Sequence, residues 1–138
     1  MKKQELIISN PLVDSKIANK IVVIRDVQVM IDRDLAELYG VETKALNQAV
    51  KRNIERFPDY FCFQLDKDES LELVTNCDRF NILKHSSVNP YAFTEQGVAM
   101  LSAVLRSERA IKVSIEIMNA FVQMLLKPRL IQNLLNMI

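Results

Sequence analysis

The sequence is poor in the residues that break, tether or functionalise a chain: two glycines, four prolines, two cysteines and one histidine among 138 residues. So little glycine and proline excludes collagen-like, linker-rich or low-complexity organisation. Cys62 and Cys77 form no CxxC pair and no other metal-ligand spacing, so a reduced, cytoplasmic setting is expected. No run approaches the roughly 18 apolar residues of a membrane span, and the apolar stretch near the start is too short for a signal peptide. Catalytic signatures are missing as well. There is no Walker loop and no GxGxxG, and His85 has no sequence-adjacent partner for acid–base work. Cys62 lies in an apolar strand and reads as core rather than nucleophile. The acids between Asp66 and Asp78 lack the spacing and glycine of an EF-hand and read as a solvated face. The chain is therefore expected to be no enzyme and to need no cofactor and no metal.

What is present is an ordinary globular balance, 49% hydrophobic and 25% charged, at a length that suits one domain with room for an appendage. The formal net charge of +1 argues, as a sum, against nucleic acid. The distribution argues otherwise. From Thr43 to Arg56 four bases (Lys44, Lys51, Arg52, Arg56) stand against Glu55 alone. From Phe57 to Asp78 six acids oppose only Lys67, and from Arg106 to Arg129 five bases oppose Glu108 and Glu116. The average hides a basic–acidic–basic pattern.

Local signals divide the chain into elements. Residues 1–19, with a turn at Asn10-Pro11, read as an N-terminal arm. Ile21–Ile24 and Val27–Ile31 are β-branched runs about Arg25-Asp26, which predicts a hairpin. Asp32 is then expected to cap a short helix that Gly40 ends, and Thr43 to cap a second helix with Leu46, Ala49, Val50 and Asn53 inward. Pro58 breaks it, and residues 60–65 follow as an aromatic strand partnered by Tyr91-Ala92-Phe93. Residues 68–74 suggest one or two helical turns, and the polar stretch 75–90 a mobile loop. Thr94 caps a helix with Val98, Leu101, Val104 and Leu105 on its apolar face. Ser107 caps another, with Ile111, Ile115, Met118 and Val122 spaced helically. Pro128 is expected to interrupt it. The apolar stripe Leu130, Ile131, Leu134, Leu135 and Ile138 is still running where the sequence stops, which fits either a longer protein or a helix buried by a partner.

Asp32 to Asn53 is the informative stretch. Ala36 stands four residues before Gly40, Val41 just after it, and Leu46 and Ala49 six and nine residues beyond it. A helix-turn-helix needs a small residue where its helices cross, a glycine able to turn left-handed, and apolar residues in the wedge. The outer side of the second helix carries Thr43, Lys44, Asn47 and Gln48, suited to a groove floor, then Lys51, Arg52 and Arg56, suited to phosphates. The same packing with a polar outer face also occurs in proteins that never touch DNA, so spacing alone leaves both readings open.

The run Asp32-Arg33-Asp34-Leu35-Ala36-Glu37-Leu38-Tyr39-Gly40-Val41-Glu42-Thr43-Lys44 resembles the Orf-six N-terminal domain of phages, prophages and bacteria, a relative of KilA-N and Bro-N domains. Leu46-Asn47, Val50-Lys51-Arg52-Asn53, and Arg56-Phe57-Pro58 followed by Phe61 and Phe63 carry the same resemblance. A second block runs from Phe93-Thr94-Glu95-Gln96-Gly97 through Leu105-Arg106-Ser107-Glu108-Arg109-Ala110, and together the blocks span roughly residues 20–125. The resemblance implies a DNA-binding module of phage regulators and antirepressors, with Lys44, Asn47, Lys51, Arg52 and Asn53 on the binding helix. Cys62 and Asp66 depart from the family pattern, which has an apolar and a hydroxyl residue there.

The expected fold is α+β: a helix-turn-helix, winged-helix-like core with a small antiparallel sheet and C-terminal helices. The expected domains are an arm (1–19), a KilA-N-like DNA-binding domain (20–126) and a C-terminal helix (127–138). The expected function is DNA binding in a phage or prophage regulator, the second helix (43–53) lying in the major groove. The alternative is a protein-interaction module that captures a repressor, as an antirepressor does, or dimerises. Expected partners are double-stranded DNA, a second copy through the C-terminal helices, and a repressor protein, with no membrane association.

Overall fold

The computed structural model describes residues 15–137, without the side chains of residue 15 and residues 126–134. The expected turn at Asn10-Pro11 lies outside the described residues, as do Ile138 and the side chains of Leu130, Ile131 and Leu134 in the expected stripe. In that stripe Leu135 is described, and it is exposed.

Helix α1 (Ser15–Ala18) precedes the predicted hairpin, β1 (Val22–Ile24) and β2 (Val27–Ile31), in which Val22 faces Val29 and Ile24 faces Val27. Its two turn residues, Arg25 and Asp26, have φ of 58° and 62°, the doubly left-handed turn whose twist matches paired strands. Neither is glycine, so the turn is strained. Arg25 offsets this with a bidentate pair to Glu69, Nε to Oε2 at 2.8 Å and Nη2 to Oε1 at 2.9 Å, and stacks 4.2 Å over the Phe63 ring.

Strand β2 runs directly into α2 (Asp32–Tyr39), which is followed by α3 (Thr43–Arg52) and a 3₁₀ turn, Ile54–Arg56. Next come β3 (Cys62–Gln64), α4 (Lys67–Asn76), a 3₁₀ segment (Asp78–His85), β4 (Tyr91–Phe93), α5 (Glu95–Leu105) and α6 (Glu108–Asn136). The sheet is antiparallel with order β1-β2-β4-β3, and the expected pairing of Tyr91–Phe93 with residues 60–65 is present, Cys62 opposite Phe93 and Gln64 opposite Tyr91. Between those neighbouring strands the chain makes the whole excursion through α4 and the 3₁₀ segment. Strand alternation buries both faces. Met30 and Phe93 join a core with α2, α3, α5 and α6, whereas Val29, Ile31 and Ala92 meet Leu65, Leu73, Phe80 and Leu83 on the other side. The fold is α+β, as expected.

Several local expectations need correction. Residues 75–90 do not form an irregular loop throughout: Phe80 and Leu83, three apart in the 3₁₀ segment, anchor it in the second core. Helix α4 is longer than one or two turns because Asp66 completes a capping box, accepting Glu69 N at 2.8 Å while Glu69 Oε1 accepts Asp66 N at 2.9 Å. The carboxylate at Asp66 thus serves where the family has a hydroxyl, since either oxygen can cap.

Thr94 and Ser107 cap as expected, accepting Gly97 N at 3.3 Å and Ala110 N at 3.0 Å. On α6, however, the buried face is not Ile111, Ile115, Met118 and Val122. Ala110, Ser114, Ile117 and Phe121 are buried, while Ile111, Ile115 and Val122 are 51%, 56% and 44% exposed. The helix carries two apolar stripes of equal periodicity. The buried one includes a serine whose hydroxyl lies 2.6 Å from the buried Tyr39 hydroxyl. Nor does Pro128 end the helix, which runs on to Asn136. Among the described residues no helix is long and apolar enough to cross a membrane.

Candidate nucleic-acid interface

Helices α2 and α3 meet at a turn with the predicted geometry. Gly40 has φ 73° and ψ 32°, and Val41 N donates to Ala36 O at 3.0 Å. A β-carbon on Gly40 would be strained there and would press on the Arg109 guanidinium at 3.0 Å. Ala36 and Leu46 are buried between the helices, joined by Leu35 and Val50. Of the expected wedge residues, Val41 is exposed and Ala49 half-buried, so Leu46 and Val50 carry the contact. Asn53 is half-buried and folds back, its Nδ2 donating to Ala49 O at 2.9 Å.

Neither Asp32 nor Thr43 caps its helix. The cap positions are Ile31 and Glu42, without a side-chain cap bond at either. Asp32 is instead buried at 3% exposure, because β2 enters α2 with no linker and its first residue lies under α3. Its Oδ2 accepts Asn47 Nδ2 at 2.8 Å and Tyr91 N at 3.2 Å, while Oδ1 is buried with no hydrogen-bond partner among the described residues. Burial raises its carboxyl above the usual carboxylate range, against the lowering effect of the Asn47 bond. Asp34 is also buried and raised by desolvation, although Arg79 Nη2 approaches Oδ2 at 3.2 Å. Cys62 sits in the core as expected; burial, with a contribution from Asp32, pushes its thiol up to about 12 and keeps it protonated at neutral pH.

On the outer side of α3, Lys44, Gln48, Lys51 and Arg52 are exposed, Thr43 and Asn47 half-buried, and Arg56 is exposed in the 3₁₀ turn. A groove of about 640 Å³ gathers five of these seven, Thr43, Lys44, Asn47, Gln48 and Lys51, along one wall. Arg52 and Arg56 do not line it. Its other wall comes from Val88 and Tyr91, around the start of β4, and Ile54 also contributes. Val88 and Ile54 are 62% and 60% exposed. Sequence reasoning missed these apolar residues and Asp32. The available signal was weak: an isoleucine and a valine standing alone in polar stretches beside a turn. The arrangement offers cationic and amide side chains beside an apolar strip, chemistry suited to a polyanion whose bases carry both polar edges and methyl groups.

Comparison with curated proteins and with solved structures returned no match. A family model, the ORF6N domain, matches residues 19–104, from the end of α1 to the last turn of α5. That is more than half of the chain, and it contains α2, α3 and the groove: the chain belongs to the ORF6N domain family, a membership that points to a phage-type regulatory domain.

Proposed function

We propose that this domain binds double-stranded DNA, with α3 in the major groove, as the recognition module of a phage-type regulator acting without catalysis, cofactor or metal. The observation that carries this reading is the collection of Thr43, Lys44, Asn47, Gln48 and Lys51 from one exposed helix along one open groove. A major groove admits a helix, amide side chains read base edges, and Lys and Arg neutralise phosphates. Lys51, Arg52 and Arg56 hold the backbone in this scheme, and Lys44 and Gln48 sit deeper. Of the acids of α2, Asp32 and Asp34 are buried and bonded to Asn47 and Arg79, and exposed Glu37 pairs with Lys20 at 3.4 Å. Glu42 and Glu55 remain exposed beside α3, so a single domain binds weakly and gains from pairing.

A specific observation favours a second, compatible reading. Ile111, Ile115, Val122 and Leu125 are exposed on α6, a surface for a second copy or a captured repressor. Titration of labelled duplexes at two salt concentrations separates the two. Duplex binding that weakens with salt supports the first, and repressor capture indifferent to Lys51→Ala and Arg52→Ala supports the second.

A further inference from the structure

The side chain of Asn47 is not free to turn. It lines the groove, and its amide meets Oδ2 of Asp32 at 2.8 Å. That same oxygen accepts the backbone N–H of Tyr91 at 3.2 Å. A carboxylate oxygen accepts, so the nitrogen of the Asn47 amide, and not its carbonyl, is turned toward Asp32. Asp32 is almost wholly buried, which shields the bond from solvent. Among the described residues Asp32 is the one hydrogen-bond partner of the Asn47 side chain. The carbonyl oxygen and the second amide hydrogen are left for a ligand.

One acceptor and one donor on a planar amide complement the major-groove edge of adenine, which offers its N6 amino group and N7. Guanine offers two acceptors there, one of which a fixed amide would meet with its own oxygen. An A·T pair also presents the thymine methyl in the major groove, and exposed Ile54 and Val88 supply apolar surface in the same groove. We propose that Asp32 is a positioning residue that locks Asn47 for adenine, on the basis of the DNA-binding role proposed for α3.

The test uses the full chain. A preferred duplex is selected from a random-sequence pool, and each adenine is replaced in turn by 7-deazaadenine, which lacks the N7 acceptor. In the wild type one such replacement weakens binding roughly 5- to 150-fold, the range of one bidentate base contact. Asp32→Asn keeps this response, because its carbonyl can still accept from both Asn47 and Tyr91. In Asn47→Ala and Asp32→Val the same replacement changes nothing. A merely structural Asp32 would alter stability without erasing the contribution of one adenine. The measurement on modified duplexes needs only the wild type, so it stands even where Asp32→Val does not fold. Wild-type binding indifferent to N7 at every adenine, or full discrimination retained by folded Asp32→Val, overturns the assignment and leaves the DNA-binding role intact. Absence of any low-salt duplex binding by the wild type removes both.

Discussion

Gly97 sets two elementary effects against each other. It lies in the first turn of α5, its N–H bonded to the Thr94 hydroxyl, which in turn donates to Tyr60 O at 2.8 Å. The Thr94 backbone N–H donates to Phe61 O at 3.0 Å, so the helix starts on the backbone that leads into β3. A β-carbon at position 97 would collide with that carbonyl oxygen, with the Phe61 carbonyl carbon at 3.0 Å and Phe93 Cβ at 3.4 Å. Helix propensity alone favours Gly97→Ala by about 1 kcal/mol. Forcing a methyl into a packed site costs about 1–3 kcal/mol, and the upper end applies because backbone, not a flexible side chain, must give way. The net expectation is a loss of about 2 kcal/mol, a fall in Tm of roughly 8 °C for a chain of this size. Thermal unfolding followed by circular dichroism measures it, with exposed Gln96→Ala as the control that moves little. A Tm for Gly97→Ala equal to or above the wild type would refute the close approach of α5 to the Phe61 backbone.

Two further outcomes follow from buried polar groups. The folded-state pKa of Asp32 is raised, so the native protein binds more protons than the unfolded chain between the unfolded and folded values. Stability contributed by this group therefore falls as pH rises through that window, and the penalty is complete above it. Asp32→Asn should unfold at a higher temperature than the wild type at neutral pH, the difference shrinking as pH drops through the raised value toward the ordinary carboxylate value; a pH-independent difference would contradict this. The Tyr39 phenol, pushed up to about 12 by burial, stays protonated at neutral pH and bonds Ser114 at 2.6 Å. Tyr39→Phe leaves the Ser114 hydroxyl unpaired and should cost about 1–2 kcal/mol in chemical denaturation, much of it recovered by adding Ser114→Ala.

How far the fold was legible follows from the range of each signal. The hairpin at Arg25-Asp26, the turn at Gly40, and the caps at Thr94 and Ser107 are written in a few adjacent residues and stand in the structure as read. The orientation of α6 was not legible, because two apolar stripes share one period and only the partner surface decides between Ile117 and Ile115. Phe80 and Leu83 were hidden among the charges of a polar stretch. At the candidate site, the residues along α3 were readable because helical spacing alone puts them on one side. The bond from Asp32 to Asn47 spans 15 residues, and Val88 and Tyr91 reach α3 from around β4. Asp32 itself read as a cap, the commonest use of an acid before a helix, and only the direct passage from β2 into α2 puts it inside.

The central claim is that α3 holds DNA, and the salt dependence of duplex binding tests it most directly. Labelled duplex titrated with wild type, Lys51→Ala and Arg52→Ala over a series of salt concentrations should show binding at low salt. Its logarithm should fall linearly with the logarithm of salt, and each substitution should reduce the slope by about 1. No binding at low salt, or slopes unchanged by both substitutions, would contradict the account.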